Sequence, residues 1–487
     1  RMCLVKAANS PKPVIGCQTL CQDGMVVDAS SPEVMELRRS VLEFLLVNHP
    51  LDCPVCDQAG ECWLQDYYMV YGLYDPKFDE EKVKKKFKAT PIGPSVMLDS
   101  ERCILCSRCV RFTECISKTH ELGIFNRGDR SEIGIYPGRE LQNPYSGNLV
   151  DLCPVGALTD RDFRFRCRVW YLELQDSICP GCSRGCNIQI HVNQDRPHHA
   201  AGLRVMRLKP RYHPEVNQWW MCDAGRCGYH FIDQHRLLAP RWRKGSTFKE
   251  GGWEAVLNSL ALSLADFLKR HSREALGLIL SPQMANEDLF SAKEFFGKAL
   301  RIPHLAFLSP TSPGDSDDFL IQSDKNPNTQ GAQAMDLLPI DVQTIRRWVE
   351  KEGVKGLYVF GQDLLSLFGE TGPEEILDRL ELVIFQGSNA NRMLEHSHYI
   401  LPSATYAEKD GTFTNDAGRV QRFWKALEPL GASLPDSEIF ARLAEKMGSP
   451  VPKREVEEIF AELSKSVAVF RGLSYENLGK AGKMLSE

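Results

Sequence analysis

Hydrophobic positions are organised differently in the two halves of the chain. Up to about residue 230, apolar runs are short and are broken by cysteine, arginine and proline. Beyond it, helical and strand patterns alternate. Trp253, Val256, Leu257, Leu260, Leu264, Phe267 and Leu268 recur at the three- and four-residue spacing of one helical face. Ala275–Ser281 (ALGLILS) reads as a buried strand, a helix is predicted around Glu287–Leu300, and Leu305–Leu308 is a further apolar run. Val354–Phe360 (VKGLYVF) and Leu382–Phe385 are predicted strands, each flanked by helical stretches. Alternation of this kind predicts an α/β layer built on a mostly parallel sheet. No apolar run reaches the roughly 18 residues that a membrane-crossing helix needs.

Composition sharpens the contrast. The chain has 487 residues, enough for several domains, and all 17 cysteines lie before the change of pattern, the last being Cys227. That density is below a small disulfide-stapled secreted domain. All but four of the cysteines fall in metal-type spacings, which favours a reducing compartment where thiolates stay free for iron. A formal net charge of −5 and a pI near 6.2 leave no basic footprint for nucleic acid. Lys82–Lys88 (KVKKKFK) reads as the solvated face of a linker. The first residue is Arg1 and no signal-peptide pattern follows, so the natural beginning is expected upstream.

The cysteine spacings carry the chemistry. An iron–sulfur cluster takes four thiolates, or three and an imidazole, converging from a compact loop and one distant residue. Cys103, Cys106 and Cys109 form a Cys-x2-Cys-x2-Cys loop, with Cys153-Pro154 downstream as the distant fourth ligand. A zinc ribbon would use paired Cys-x2-Cys knuckles instead of a triplet. His49 stands four residues before the run Cys53, Cys56, Cys62, where a neutral imidazole would replace one thiolate and leave the cluster less negative. A third group is Cys179, Cys182 and Cys186, with Cys222 or Cys227 available as its fourth member. Cys3 and Cys17 look like the remainder of a fourth group. Several clusters in one chain predict a conductor of single electrons.

The segment His49-Pro-Leu-Asp-Cys53-Pro-Val-Cys56-Asp-Gln-Ala-Gly-Glu-Cys62 resembles the His-Cys3 cluster segment of the large iron–sulfur subunits (the bacterial G type and mitochondrial 75 kDa type) of NADH:quinone oxidoreductase, respiratory complex I. Arg1-Met2-Cys3-Leu4-Val5 is similar to that family's Cys-Arg-Met-Cys-Leu-Val, which implies a plant-type [2Fe–2S] site with Cys3, Cys17 and two ligands upstream. Cys179-Pro-Gly-Cys182-Ser-Arg-Gly-Cys186 resembles the cluster segment at the front of molybdopterin oxidoreductases. Cys222-Asp-Ala-Gly225-Arg226 fits that family's Cys-x-x-Gly-Arg and favours Cys222 over Cys227, with an insertion near Asn193–Leu208. Asn328–Ala332 (NTQGA) and Glu408–Gln421 (EKDGTFTNDAGRVQ) resemble the pterin-embracing loops of the same enzymes.

The resemblance implies α/β multidomain architecture. A [2Fe–2S] ferredoxin remnant (1–32) is followed by a His-Cys3 [4Fe–4S] domain (33–73) and a [4Fe–4S] ferredoxin-like domain (74–170). A 4Fe–4S domain of the Mo/W bis-MGD type (171–229), a molybdopterin-oxidoreductase-like α/β body (230–450) and a helical tail (451–487) complete the chain. It implies three [4Fe–4S] clusters and one [2Fe–2S] cluster. Electrons would pass from the [2Fe–2S] site to the Cys103 site and then the His49 site, with the Cys179 cluster off that line. The partners would be the flavin-bearing NADH-binding subunit and other peripheral-arm subunits. The location would be the cytoplasmic side of the bacterial inner membrane, with membrane contact only through the complex. No complete substrate site is expected on this chain alone, and no nucleic acid.

Molybdopterin is not expected either. No cysteine follows Cys227 to bind molybdenum, Ala224 stands where those enzymes tend to carry a lysine, and their C-terminal pterin-binding domain is expected to be missing. The alternative functions are a molybdenum formate dehydrogenase alpha subunit and the electron-transfer subunit of an NAD-linked hydrogenase. The first normally needs eight cysteines in the middle domain, whereas the window from Cys103 to Cys167 offers one recognisable set. Cys21, Cys115, Cys167 and Cys227 remain, and are expected to be small buried hydrophobes.

Overall fold

The computed structural model describes residues 2–486 apart from 73, 75–77, 87, 194–195, 201, 310–313 and 369–372. Arg1 of the N-terminal motif therefore lies outside the described residues. Chain contacts divide the protein into two compact units, 1–172 and 173–487.

In the first unit, Leu4–Ala7 runs between Val14–Ile15 and Val27–Asp28 as a small antiparallel sheet. The helix Pro32–Leu46 follows, with Pro32 in its first turn and the Ser31 side chain accepting from the Val34 amide. It packs beside the helix Trp63–Tyr71. Further on, Val96–Leu98 pairs antiparallel with Leu158–Asp160, so the strand before the Cys103 loop lies beside the strand after Cys153. That pairing closes a long sequence separation and brings the distant cysteine back to its loop.

The basic run is largely exposed, as expected of a solvated face, but three of its lysines also bind neighbouring groups. Lys82 Nζ donates to the carbonyls of Leu46 and Val47 at 3.0 and 2.8 Å, satisfying the open end of the first long helix. Lys85 donates to the Ser131 carbonyl, and Lys88 binds Asp52 and Glu101 at 2.9 and 2.7 Å. Charge density alone does not reveal which backbone carbonyls will be left unpaired nearby.

The second unit opens with an antiparallel sheet of Glu173–Ile178, Asn187–Val192 and Val205–Pro210. The expected insertion near Asn193–Leu208 falls on the connection between the last two strands and the start of the third, and part of it lies outside the described residues. An eight-stranded sheet follows, made of β1 (Arg241–Lys244), β2 (Thr247–Glu250), β3 (Leu276–Leu280), β4 (His304–Leu308), β5 (Leu338–Ile340), β6 (Gly356–Phe360), β7 (Leu382–Gly387) and β8 (Tyr399–Pro402). The spatial order is β2-β1-β8-β7-β6-β3-β4-β5, parallel from β8 to β5 with the β1–β2 hairpin antiparallel at one edge. The direction of winding reverses between β3 and β6, the doubly wound arrangement that opens a crevice at the carboxyl ends of those strands.

Every residue of β3, β6 and β7 is buried, as sheets covered on both faces require. The predicted amphipathic helix is Trp253–Arg270. It buries Val256, Leu257, Leu260, Leu264 and Phe267, while Trp253 and Leu268 pack at the edge of the same core. The helix predicted over Glu287–Leu300 is α-helical over Asn286–Ala292 and then widens into a π-helix over Lys293–Ala299, in which the Leu300 amide donates to Phe295 O at 3.0 Å. Hydrophobic spacing reports a buried face but not the local winding.

Residues 451–487 are more than a helical tail. The helix Val456–Ser466 buries Phe460 and Leu463 in the core that also holds Leu260 and Phe296, and Lys483–Met484 pairs antiparallel with Arg419–Phe423. Phe460 packs near the rings of Phe470 and Tyr475. Phe460→Ala should lower stability by about 3–5 kcal/mol. Urea unfolding followed by tryptophan fluorescence would read this as an earlier transition; an unchanged midpoint would mean the segment is an appendage.

Candidate metal centres

The Cys103 loop leaves its strand through the turn Ser100–Arg102. Leu105 and Ser107 adopt φ values of 53° and 60°, a left-handed conformation that non-glycine residues rarely hold without support. The turn brings the Leu105 amide to Cys103 Sγ at 3.4 Å. Cys109 lies in the helix Arg108–Cys115, and Cys153 caps the short helix Asn148–Leu152. Cys103, Cys106, Cys109 and Cys153 line one cavity together with Pro154 and Val155. Burial, reinforced by the neighbouring sulfurs, pushes Cys109 and Cys153 up to about 12; burial also pushes Cys103 up to about 11. Thiols in such a setting ionise only opposite a bound cation, which is the condition metal coordination meets. Among the described residues, no three His, Cys, Asp or Glu side chains converge on a single-ion site. These four sulfurs surround a space instead, which suits a cluster of several irons.

His49 follows the end of the first long helix, its amide donating to Leu46 O at 3.2 Å. Burial, and then the nearby Lys82 and Arg102 charges, hold its ring down to about 4, so the imidazole is neutral at pH 7. Its Nδ1 is buried with no hydrogen-bond partner among the described residues, a nitrogen with a lone pair or proton to place. Burial raises the Cys56 and Cys62 thiols, and each also feels the Cys53 sulfur. Arg168 clamps this loop from outside, donating to the carbonyls of Cys56 and Pro54 at 2.6 and 2.5 Å. Gly156 passes so close that a Cβ there would stand 2.2 Å from Cys56 Sγ. Sequence reasoning singles out neither Gly156 nor Arg168; a glycine two residues after a Cys-Pro is the only signal it offers.

These two ligand sets share a wall. The Trp63 amide, next to Cys62, donates to the carbonyl of Pro154, next to Cys153, at 3.1 Å. Leu42, Cys62, Leu64, Val155 and Ala157 form one buried apolar cluster, against which Cys103 and Cys153 pack. At the N-terminus, Cys3 and Cys17 are also brought together, with sulfurs 3.3 Å apart. Burial raises the Cys3 thiol, but hydrogen bonds from Cys17 outweigh it and leave Cys3 below its ordinary value.

In the second unit, Cys179 and Cys186 flank the turn between the first two strands, and the Cys179 amide donates to Cys186 O at 2.9 Å. Burial pushes both thiols well up, with Cys182 and Cys222 adding to the effect. Cys222 caps the helix Asp223–Cys227, its Sγ accepting from the Gly225 amide at 3.3 Å. A Cβ on Gly225 would lie 3.0 Å from Cys179 Sγ and 3.5 Å from Cys222 Sγ. The fold thus gathers Cys222 with the triplet, while Cys227 sits exposed at the other end of that helix. Of the four remaining cysteines only Cys167 is buried; Cys21, Cys115 and Cys227 are exposed, correcting the expectation that all are core. Cys115 and Cys227 end short helices that bury only part of their circumference.

The pterin-like loops meet each other and the third cysteine loop. Asn286 Nδ2 donates to the Thr412 and Thr414 hydroxyls, and Asn328 Oδ1 accepts from the Thr414 amide at 2.7 Å. The hairpin of Gly411–Thr414 and Arg419–Phe423 then grips the Cys182–Cys186 turn. Asp416 N donates to Ser183 O at 2.8 Å and Gln421 Nε2 to Gly185 O at 2.9 Å. Gly185 has a φ of +61°, and a Cβ there would be 2.5 Å from Gln421 Oε1, so a larger residue would be strained and would displace the Gln421 side chain. Beside this hairpin, a cleft of about 290 Å³ opens at the carboxyl ends of β3, β6 and β7, lined by Ser281, Gly361, Gln386, Thr405, Tyr406 and Lys409. Lys409 is paired with Asp288 and Asp436 at 2.6 and 2.8 Å.

Comparison with known proteins follows the same division. Residues 38–77 match the NADH-ubiquinone oxidoreductase-G iron-sulfur binding region, and residues 93–159 the ferredoxin-like domain of NADH-quinone oxidoreductase subunit 3. Residues 172–234 match the molybdopterin oxidoreductase Fe4S4 domain, and residues 323–446 the molybdopterin oxidoreductase family. The G subunit of NADH-quinone oxidoreductase from Rickettsia felis is 37% identical over 61% of this chain and 42% of its own length. Subunit 3 of the Thermus thermophilus enzyme is 39% identical over 64% of this chain and 41% of its own. The mitochondrial 78 kDa subunit of Neurospora crassa NADH-ubiquinone oxidoreductase is 42% identical over 54% and 34%. The chain thus spans less than half the length of each of these relatives.

The gathering of Cys222 rather than Cys227 gives a direct test. Cys222→Ser should remove one four-iron cluster per chain, whereas Cys227→Ser should leave the iron content intact. Iron counts on the purified proteins decide it; loss in the second variant alone would reverse the assignment.

Proposed function

We infer that this chain, a relative of the large iron–sulfur subunits of NADH:quinone oxidoreductases, is the electron-transfer iron–sulfur subunit of such a complex. It would relay single electrons from the flavin-bearing NADH-binding subunit toward quinone. The observation that carries the reading is the shared wall of the first unit, where the Trp63–Pro154 hydrogen bond ties two cysteine ligand sets together. A conductor needs adjacent redox sites, whereas isolated structural metal sites do not.

His49, Cys53, Cys56 and Cys62 would hold one [4Fe–4S] cluster, and Cys103, Cys106, Cys109 and Cys153 a second. Cys179, Cys182, Cys186 and Cys222 would hold a third, and Cys3 and Cys17 would supply two ligands of a [2Fe–2S] cluster. Such clusters accept and release one electron at a time. The protein's part is to fix the ligands, keep water away and set the local charge. Leu42, Leu64, Val155 and Ala157 exclude water between the first two sets. The neutral His49 leaves its site one charge less negative than an all-thiolate one. Arg168 and Gly156 allow the Cys53–Cys56 loop to close against the backbone of the second set.

The α/β body acts as scaffold in this reading. Its pterin-like loops are engaged with one another and with the third cysteine loop, and no cysteine follows Cys227 to bind molybdenum. Peripheral attachment through the complex follows from the same assignment; no helix among the described residues is long and apolar enough to cross a membrane.

Two experiments address the reading. His49→Cys should keep the iron content and lower the midpoint potential of one cluster, because a charged thiolate replaces a neutral ring; an unmoved redox titration would refute His49 as ligand. Cys106→Ala should abolish NADH:quinone turnover by the complex while NADH oxidation by an artificial acceptor at the flavin persists. Full quinone reduction in a variant shown by iron analysis to lack that cluster would overturn the relay.

A further inference from the structure

Arg102 lies between the two linked ligand sets and has no role in the assignments above. It immediately precedes Cys103, and its side chain is 5% exposed. Nε and Nη2 donate to Asp52 Oδ2 at 3.1 and 2.9 Å, and Nε also lies 3.3 Å from Asp99 Oδ2. The other terminal nitrogen, Nη1, is buried without a hydrogen-bond partner among the described residues. A guanidinium is always charged and carries its donors in a rigid fork, so an idle buried edge is costly unless an acceptor completes it. The Cys56 sulfur is close enough for its charge and that of Arg102 to act on each other. A Cβ on Gly156 would touch both Cys56 Sγ, at 2.2 Å, and Arg102 Cδ, at 3.6 Å, so the thiol and the arginine stem flank one small space. Arg102 is also among the charges that act on His49.

The remaining groups of this network are mostly acidic. Lys88 binds Asp52, Asp99 and Glu101 at 2.9, 3.5 and 2.7 Å, so two cations face three carboxylates. Without Arg102, Lys88 alone would face the carboxylates of Asp52, Asp99 and Glu101 beside the His49 set.

Resting on the cluster assignment above, we propose that Arg102 is the potential-setting residue of the His49/Cys53/Cys56/Cys62 site. Its free guanidinium edge donates to the sulfur on the Cys56 side and stabilises the reduced, more negative state. Asp52 and Asp99 orient that edge and oppose it. Arg102 is a positioning residue in this sense, holding charge at the site without itself exchanging electrons.

The test is a redox titration of the intact purified complex followed by EPR, with iron counted in every sample. Arg102→Gln should lower the midpoint of the His-coordinated cluster, Arg102→Lys should lower it less, and the Cys179-set cluster should not move. Because removal of one partner of a buried ion pair threatens assembly, Asp52→Asn is the complementary variant, and it should raise the same midpoint. An unmoved midpoint in Arg102→Gln and Asp52→Asn with iron retained overturns the proposal. So does loss of that cluster's iron in Arg102→Gln with no shift in Asp52→Asn, which would make Arg102 purely structural. A wild-type complex whose iron content lacks the His-coordinated cluster would instead overturn the assignment on which the proposal rests.

Discussion

A thiolate taken out of water is stable only beside positive charge, and that constraint organises the first unit of this protein. Burial raises Cys56, Cys62, Cys103, Cys109 and Cys153 together, and each loop crowds further sulfurs around them. As thiolates, these groups would need a cationic centre among them and apolar walls around them. The cluster of Leu42, Leu64, Val155 and Ala157 supplies the walls. Backbone fit supplies the rest: Gly156 leaves room for Cys56 Sγ, and the left-handed turns at Leu105 and Ser107 bend the Cys103 loop toward its own sulfur. Apart from the helix Pro32–Leu46, the elements of this unit are short, and its cysteines lie in the loops and element ends that join them.

The second unit meets the same requirement by other means. Its doubly wound sheet is rigid and dry, and the connections at its carboxyl edge are tied into a buried polar lattice. Asn286, Asn328, Thr412 and Thr414 satisfy each other, Glu287 accepts from the Thr412 amide at 2.9 Å and from Tyr475, and Lys409 is held between two aspartates. Polar groups buried this way contribute little net stability but fix one arrangement of the loops. That arrangement presses the Gly411–Phe423 hairpin against the Cys182–Cys186 turn. A fold suited to a ligand crevice thus also stabilises a cysteine loop.

Sequence periodicity is enough to identify the long amphipathic helix and the buried strands β3, β6 and β7, and it marks β4 as an apolar run, because each is either strongly periodic or continuously apolar. It does not identify β5 and β8, whose strand character comes from partners already in place: Leu338–Ile340 pairs beside β4, and Tyr399–Pro402 beside β7. It finds the exposed Lys82–Lys88 run but not what the run binds, since the carbonyls that Lys82 caps and the carboxylates that Lys88 bridges are not its neighbours in the chain. Free cysteine is usually buried, which places Cys115 and Cys227 in the core on expectation, yet each ends a helix too short to hide its whole surface.

What the sequence determined by itself was the identity of the candidate donors. Ligand chemistry is a property of side chains, and a loop ligand must lie within a few residues of its neighbours, so the sets around Cys53, Cys103 and Cys179 are visible in spacing alone. Tertiary structure decided everything that depends on a second approach to the same point in space. It brought Cys153 to its loop by pairing Val96–Leu98 with Leu158–Asp160, and it set Cys222 rather than Cys227 against Cys179. It also brought Gly156 and the stem of Arg102 beside Cys56. Those choices rest on packing and on the pairing of charges across more than forty residues of chain, distances over which spacing carries no geometric information.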